Sequence, residues 1–222
     1  LWFHFPAPQR LHGTTDVMLM GSIKHTALVY NSFDDHMRYA LLLPKGGFQK
    51  FRNADWQEEM AEPAPPWLAD YIKGLESVDK PIRLNVMVGR SEAWTVPGLL
   101  LLGDAAHPMS PIRAQGINLA LRDVIVMANH LAPLLTSGAT HEAIDAVLQV
   151  VADERLPEIK RAQALQLREA KGQSNERLRP LMIGMAKATG PIFGRFAWAQ
   201  RAWLNQQKDL RFGTADVRLQ LP

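Results

Sequence analysis

The sequence predicts an α+β fold, and three observations carry that expectation. The first 52 residues hold four short β-prone runs separated by turn residues. Further on, the apolar run Leu99 to Leu102 stops at Gly103-Asp104. A turn holding Pro108, Ser110 and Pro111 then leads to a helix start at Gln115-Gly116-Ile117-Asn118. From Gly116 onward apolar residues recur at helical spacing, so the chain runs β-rich first and helical afterwards.

Leu1 to Phe5 is an apolar, aromatic run ended by Pro6 and Pro8. Thr15 to Met20, Thr26 to Tyr30 and Arg38 to Leu43 follow, punctuated by Gly21-Ser22 and Asn31-Ser32 and closed by Pro44-Lys45-Gly46-Gly47. Successive short runs of this kind predict an antiparallel meander. Ala54 to Met60 reads as a helical turn or two, and Trp67 to Leu75 as a helix entered through Pro65-Pro66. Arg83 to Val88 and Leu99 to Leu102 read as strands. Ile117, Ala120, Leu121, Val124, Ala128 and Leu131 share one helical stripe, with Leu119, Ile125 and Met127 apolar on other sides. Only Asn118, Arg122 and Asn129 make a polar line, so a helix buried on most of its circumference is expected, ending at Pro133. His141 to Val151 and Pro157 to about Gly172 are two further helices. Pro180 to Ala188 and Ile192 to Asn205 are two more, separated by Gly190-Pro191. The expected organisation is 1–90, 91–133 and 134–222.

With 222 residues, 47% of them hydrophobic and 21% charged, the chain can build one large domain or two small ones. No apolar run in the sequence reaches bilayer-crossing length, and LWFHFPAPQR is not a secretory signal. Cysteine is absent, which excludes disulfides, thiolate metal sites and cysteine catalysis and fits a cytoplasmic location. Residues 151–222 carry 13 Lys/Arg against 7 Asp/Glu, but the cations are spaced out, as on a solvated helix face, so no nucleic-acid partner is expected. The sequence holds no GxGxxG, Walker loop, HExxH or G-x-S-x-G, and no metal site is expected.

The string GDAAHPMSP at 103–111, followed by AQGIN at 114–118 and Arg122-Asp123, resembles the second flavin-binding motif of the FAD-dependent aromatic hydroxylases, the para-hydroxybenzoate hydroxylase-like flavoprotein monooxygenases. The residues make physical sense of that resemblance. Asp104, otherwise a plain turn residue, places a carboxylate at a strand's end, where it can accept hydrogen bonds from a sugar-like hydroxyl. The resemblance implies that it binds a ribityl hydroxyl of FAD and that Gly103 lets the backbone come close. Gln115, Gly116, Ile117 and Asn118 open a helix whose free N–H groups and dipole favour negative charge. The resemblance implies that they face the N1–C2=O edge of the flavin. Pro111 stiffens the turn and by resemblance lies beside flavin and substrate.

Other residues read more plainly. Ala114 stands where the family often has glycine. Arg113 is equally a surface cation or a charge near the flavin edge. His107 reads as structural, Arg122 and Asp123 as an orienting pair, and Arg90 and Trp94 as packing residues. Lys45-Gly46-Gly47 is a poor phosphate loop, because no Ser/Thr-led helix follows. Phe193, Phe196, Trp198 and Trp203 read as core anchors of a docking helix, with membrane attachment the lesser reading. No catalytic side chain is assigned.

The family's strand–GxGxxG–helix unit, which holds the ADP half of FAD, has no counterpart here. The chain is therefore expected to be the C-terminal portion of a two-domain FAD-binding α/β fold: part of the substrate-domain sheet, the second flavin motif and C-terminal helices. Its partner would be the missing N-terminal FAD-binding half. The resemblance implies a FAD-dependent monooxygenase that hydroxylates an aromatic or other electron-rich small molecule with NAD(P)H and O2, incomplete and inactive as this chain alone. A flavin dehydrogenase or halogenase on the same scaffold is the alternative enzyme, and a non-catalytic folded fragment the alternative of another class. Flavin content after purification separates enzyme from remnant.

Overall fold

A computed structural model of the chain describes residues 1–43, 47–173, 179–193, 195–206 and 208–220. The chain divides into two compact units, residues 1–85 with 174–190, and residues 86–173 with 191–222.

In the first unit, β1 (Trp2–Pro6), β2 (Val17–Gly21), β3 (Thr26–Asn31) and β4 (His36–Leu42) form an antiparallel sheet in the order β1-β4-β3-β2. The predicted meander holds for β2 to β4. β1 departs from it by pairing with the far edge of β4, Phe3 opposite Tyr39 and Phe5 opposite Met37. That register puts Phe3, Phe5, Met37, Tyr39 and Leu41 on one buried face, as the period of two demands. The helices α1 (Phe48–Phe51), α2 (Trp56–Ala61) and α3 (Pro66–Lys73) follow. Asp55 caps α2 by accepting from the N–H groups of Gln57 and Glu58, and Pro66 sits in the first turn of α3. Met60, Leu68 and Ile72 complete the core, and the Tyr39 hydroxyl donates to the Met60 carbonyl at 2.6 Å. Burial pushes that phenol's pKa up.

The predicted strand Arg83 to Val88 does not form. Among the described residues an isolated bridge pairs Trp2 with Ile82, and Leu84, Val86 and Met87 stay exposed and pair with no strand. Lys45 and Gly46 lie outside the described residues.

In the second unit, β5 (Thr95–Val96) and β6 (Leu99–Leu100) form a short hairpin. The predicted strand therefore stops two residues early, because its partner is only two residues long. The helix α4 (Gly116–Ser137) runs through Pro133 and ends at Gly138, which adopts the left-handed conformation. α5 is one helix, His141–Gln173, continuous through Pro157 where two helices were predicted. An interior proline costs about 3 kcal/mol. Packing along α4 and α5, around Leu119, Ala152, Ile159 and Ala162, offsets it.

α4 is also less buried than its sequence pattern predicts. Leu119, Asp123 and Val126 are buried, but Ile117, Leu121, Val124 and Leu135 are 45–75% exposed. Contrary to the sequence expectation, this helix is long and apolar enough to cross a bilayer by length and composition. Its buried Asp123 is ion-paired to Arg155 on α5.

α6 (Arg179–Phe193) continues through Gly190-Pro191, so the predicted break falls later, before α7 (Ala197–Gln206) and α8 (Lys208–Phe212). Phe196 and Trp198 are 48% and 63% exposed, not the core anchors expected. The side chains of Phe193 and Trp203 lie outside the described residues.

Residues 213–220 carry no regular structure and run back along α4 and α5. Thr214 N–H donates to Glu158 Oε1 at 2.8 Å, and Arg122 Nη2 donates to the Ala215 carbonyl at 2.5 Å. Asn129 donates to the Arg218 carbonyl and accepts from Gln220 N–H, both at 2.8 Å.

Candidate functional site

Leu102 leaves the β6 hairpin extended and enters a 3-10 turn, Gly103–Ala105. Gly103 has φ +58°, and a Cβ there would lie 3.1 Å from Ala120 Cβ on α4, so both backbone and packing require glycine. Its carbonyl accepts from the N–H groups of Ala106 at 3.0 Å and His107 at 2.8 Å.

Asp104 follows, exposed, and its carboxylate lies 4.0 Å from the position a Cβ on Gly116 would take. The turn after β6 and the start of α4 thus meet at one surface. α4 begins there without a side-chain cap and with no acid in its first turn. Leu119 N–H is the first to bond back to Gln115, at 3.0 Å, so the donors of Gly116, Ile117 and Asn118 precede the helix's own ladder. Ile117 is 75% exposed and Asn118 is exposed, with its Nδ2 donating to Gln115 Oε1 at 3.3 Å.

Pro111, also exposed, leads into a second 3-10 turn, Ile112–Ala114, that ends at Gln115. Ala114 has φ +51°, a conformation that glycine takes freely and alanine does not, which explains why the substitution noted in the sequence matters. The side chain of Arg113 lies outside the described residues.

Beneath this surface lies a buried ionic network. Asp123 is fully buried and accepts from Gly103 N–H at 3.0 Å, His107 Nε2 at 2.6 Å and Arg155 Nε at 2.8 Å. Desolvation pushes its carboxyl up, but the hydrogen bonds from His107 and Arg155 outweigh that and hold it below the usual range. Arg155 also donates to Glu158, which pairs with Arg122 through Nε at 3.0 Å and Nη2 at 2.9 Å. Burial likewise pushes Glu158 up, and its arginine partners pull it below the ordinary value. Arg122 and Asp123, read from the sequence as an orienting pair, both tie α4 to α5. Each serves a different partner on α5.

Two glutamines on α5 complete the support. Gln166 donates to the carbonyls of Ser110 and Ile112, both at 3.0 Å, and accepts from Ser110 N–H at 3.1 Å. Gln163 accepts from Arg90 at 2.6 Å and donates to the Gly89 carbonyl at 2.5 Å. Trp94 is buried, its ring 5.2 Å from that of His107. Sequence reasoning missed Arg155, Glu158, Gln163 and Gln166, because polar residues on a long helix read as a solvated face.

Beside the start of α4 is a cleft of about 50 Å³ lined by Gln115, Asn118, Arg122 and Phe212 among others. It is far below the several hundred Å³ that enclose an organic cofactor. The surface at Asp104 and Gly116 is open.

Comparison with known proteins gives this surface a context. A family model described as an FAD binding domain matches residues 55–163, which contain the turn and the start of α4. The chain is 31% identical over 222 residues to 6-methylpretetramide 4-monooxygenase of Streptomyces rimosus, covering 95% of this chain and 51% of that protein. It is 43% identical over 74 residues to FAD-dependent monooxygenase ausM of Emericella nidulans, covering 32% of this chain and 15% of that protein. A crystal structure of P. aeruginosa PqsL in complex with 2-aminobenzoylacetate shares the fold, with a TM-score of 0.58 at 20% identity over 79% of this chain and 48% of that one. The chain thus spans about half the length of the Streptomyces relative and of PqsL.

Proposed function

Because this chain belongs to the family of FAD-dependent aromatic hydroxylases, we propose that it supplies the part of an FAD-dependent monooxygenase that holds the ribityl and isoalloxazine portion of the cofactor. The observation that carries this reading is the Asp104 carboxylate set beside the uncapped start of α4. The residues fit the group. An exposed carboxylate accepts hydrogen bonds from hydroxyls, and helix N–H groups not screened by a capping side chain face an electron-rich edge. Gly103, Asp104, Pro111, Gln115, Gly116, Ile117 and Asn118 would hold it.

When bound, FAD would supply the redox chemistry between a nicotinamide reductant and O2. The chain's own work is positional and electrostatic. Asp104 accepts from a ribityl hydroxyl. The N–H groups of Gly116 to Asn118 stabilise negative charge on the pyrimidine edge. Pro111 stiffens the approach beside the substrate, and the network around Asp123 keeps the turn rigid. The substrate is an aromatic or other electron-rich small molecule, the reductant NAD(P)H and the setting the cytoplasm.

The test compares Asp104→Ala with Asp123→Ala in the enzyme that contains this chain, reading FAD retention and the thermal unfolding of both apo-proteins. Asp104→Ala is expected to lose a charge-assisted hydrogen bond, roughly 1.5–3 kcal/mol or about ten- to a hundred-fold in affinity, with normal apo-stability. Asp123→Ala acts through stability instead. Wild-type FAD affinity in Asp104→Ala overturns the assignment.

A further inference from the structure

We propose that His4, Asp34 and His36 form a binding site for one borderline-soft divalent cation, Zn2+ foremost, on the face of the β1–β4 sheet opposite its core. The inference is independent of the flavin reading and rests on three side chains that the topology brings together. His4 pairs with Arg38 across β1 and β4, and Pro6 with His36, so the two histidines are diagonal neighbours on adjacent strands. Both lie on the face opposite Phe3, Phe5, Met37 and Tyr39. Asp34 sits in the turn between β3 and β4, held by Ser32 N–H donating to the His36 carbonyl at 2.8 Å.

The ligand atoms converge. Asp34 Oδ1 accepts from His36 N–H at 3.3 Å, leaving Oδ2 3.6 Å from His4 Nε2 and 3.8 Å from His36 Nδ1. The imidazoles stack, centroids 4.6 Å apart at 29°, so binding must turn the rings about their side-chain bonds to bring both in-plane lone pairs onto one ion. One ligand atom from each of the three residues falls within 4.8 Å of the others. His4 Nε2 is shielded from solvent, yet has no hydrogen-bond partner among the described residues, since 3.6 Å to Oδ2 is too long for one. A tetrahedral zinc bound at its usual distances of ~2.0–2.2 Å places ligand atoms about 3.4 Å apart. The two histidine–carboxylate separations need to close by only a few tenths of an ångström, and the two imidazole nitrogens, within 4.8 Å of each other, close by a rotation of the part-exposed rings.

The donor set selects the ion. Two imidazoles and one carboxylate suit Zn2+, Ni2+ or Cu2+, not Mg2+ or Ca2+, which take oxygen ligands. Three protein ligands leave a fourth position to water. Contacts that compete with the ion include Arg38 Nη2, 3.9 Å from Oδ2, His36 Nδ1, 2.9 Å from the Asp34 carbonyl, and the Ser32 side chain hydrogen-bonded to the Asp34 carboxylate. Binding displaces the first and exchanges the second for the metal. The bound ion fastens β1 to the β3–β4 turn, so it stabilises the first unit.

The test titrates Zn2+ alone into the chelator-treated full chain at neutral pH, followed by calorimetry, thermal unfolding and histidine-ring NMR. One ion per chain is expected to bind with micromolar or tighter affinity and to raise Tm, moving the ring signals of His4 and His36 and leaving those of His130 and His141. His4→Ala and Asp34→Asn each weaken binding at least about tenfold, and Arg38→Ala strengthens it. Mg2+ gives no signal. Circular dichroism of each variant confirms that the sheet is intact, and Asp34→Asn, a turn change that keeps both histidines, stands if His4→Ala fails to fold. Zn2+ binding that does not saturate below the millimolar range, or that is unchanged in Asp34→Asn, overturns the proposal.

Discussion

Asp123 takes three donors at once, and each has a different origin: the Gly103 backbone, the His107 ring and the Arg155 guanidinium. Because its folded-state pKa lies below the ordinary 3.8, it contributes stability that is fully present above about pH 4 and lost as pH falls through the lower folded value. Asp123→Asn is expected to cost about 3–5 kcal/mol at neutral pH, since it strips one anion from a buried arginine. It should also flatten the acid limb of a stability-versus-pH curve measured by urea denaturation. Glu158, lowered in the same direction, leaves a residual slope. Ala114 offers a change of opposite sign. With φ at +51° it is in the region where an L side chain costs roughly 1–2 kcal/mol. Glycine forfeits about half of that gain through the entropy of the unfolded chain. Ala114→Gly is therefore expected to stabilise by about 0.5–1 kcal/mol, read as a small rise in Tm.

Among the elements, α4 and α5 show where sequence periodicity misleads. Pro133 reads as a stop and Pro157 as the start of a new helix, but each lies inside a helix that continues because packing outweighs one lost hydrogen bond and one clash. The apolar stripe of α4 is legible as helix, but its burial is not, since periodicity reports which residues share a face and not what covers it. Strands β2 to β4 and helices α2 and α3 are legible to within about two residues at each end, because short β-prone runs, turn residues and Pro65-Pro66 are local signals. The buried polar line of α5 carries no such signal; its partners lie on a turn about 50 residues away. Gly213 tests how tightly the elements are joined. A Cβ there would lie 2.3 Å from Glu158 Oε1 and 2.5 Å from Arg122 Nη2, and φ is +79°. Gly213→Ala must open that ion pair and adopt a strained backbone, so a loss of about 1–3 kcal/mol is expected in chemical denaturation.

For the chain as a whole, the proposed site at Asp104 and Gly116 would contact only part of a dinucleotide cofactor. It lies on an open surface whose adjoining cleft is about 50 Å³. Isothermal titration of the chain with FAD is therefore expected to give a Kd weaker than about 1 μM, short of −8.2 kcal/mol. Submicromolar binding would show that these contacts suffice. The approach of Asp104 to Gly116 is legible in the sequence because one ordered motif of about 20 residues encodes both ends. The convergence of His4 with Asp34 and His36 is not, because strand pairing, which spans some 30 residues, brings it about.

The segment from Gly213 to Gln220 has a consequence for isotope exchange. The amide hydrogens of Thr214 and Gln220 are each held by a side chain, Glu158 and Asn129, and belong to no helix or sheet ladder. Their exchange with deuterium therefore requires no helix to melt. It clocks the peeling of this segment from α4 and α5, at a free energy below that of global opening. Asn129→Ala should speed exchange at Gln220 and leave Thr214 slow, so that the two amides gauge detachment separately at the two ends of the segment.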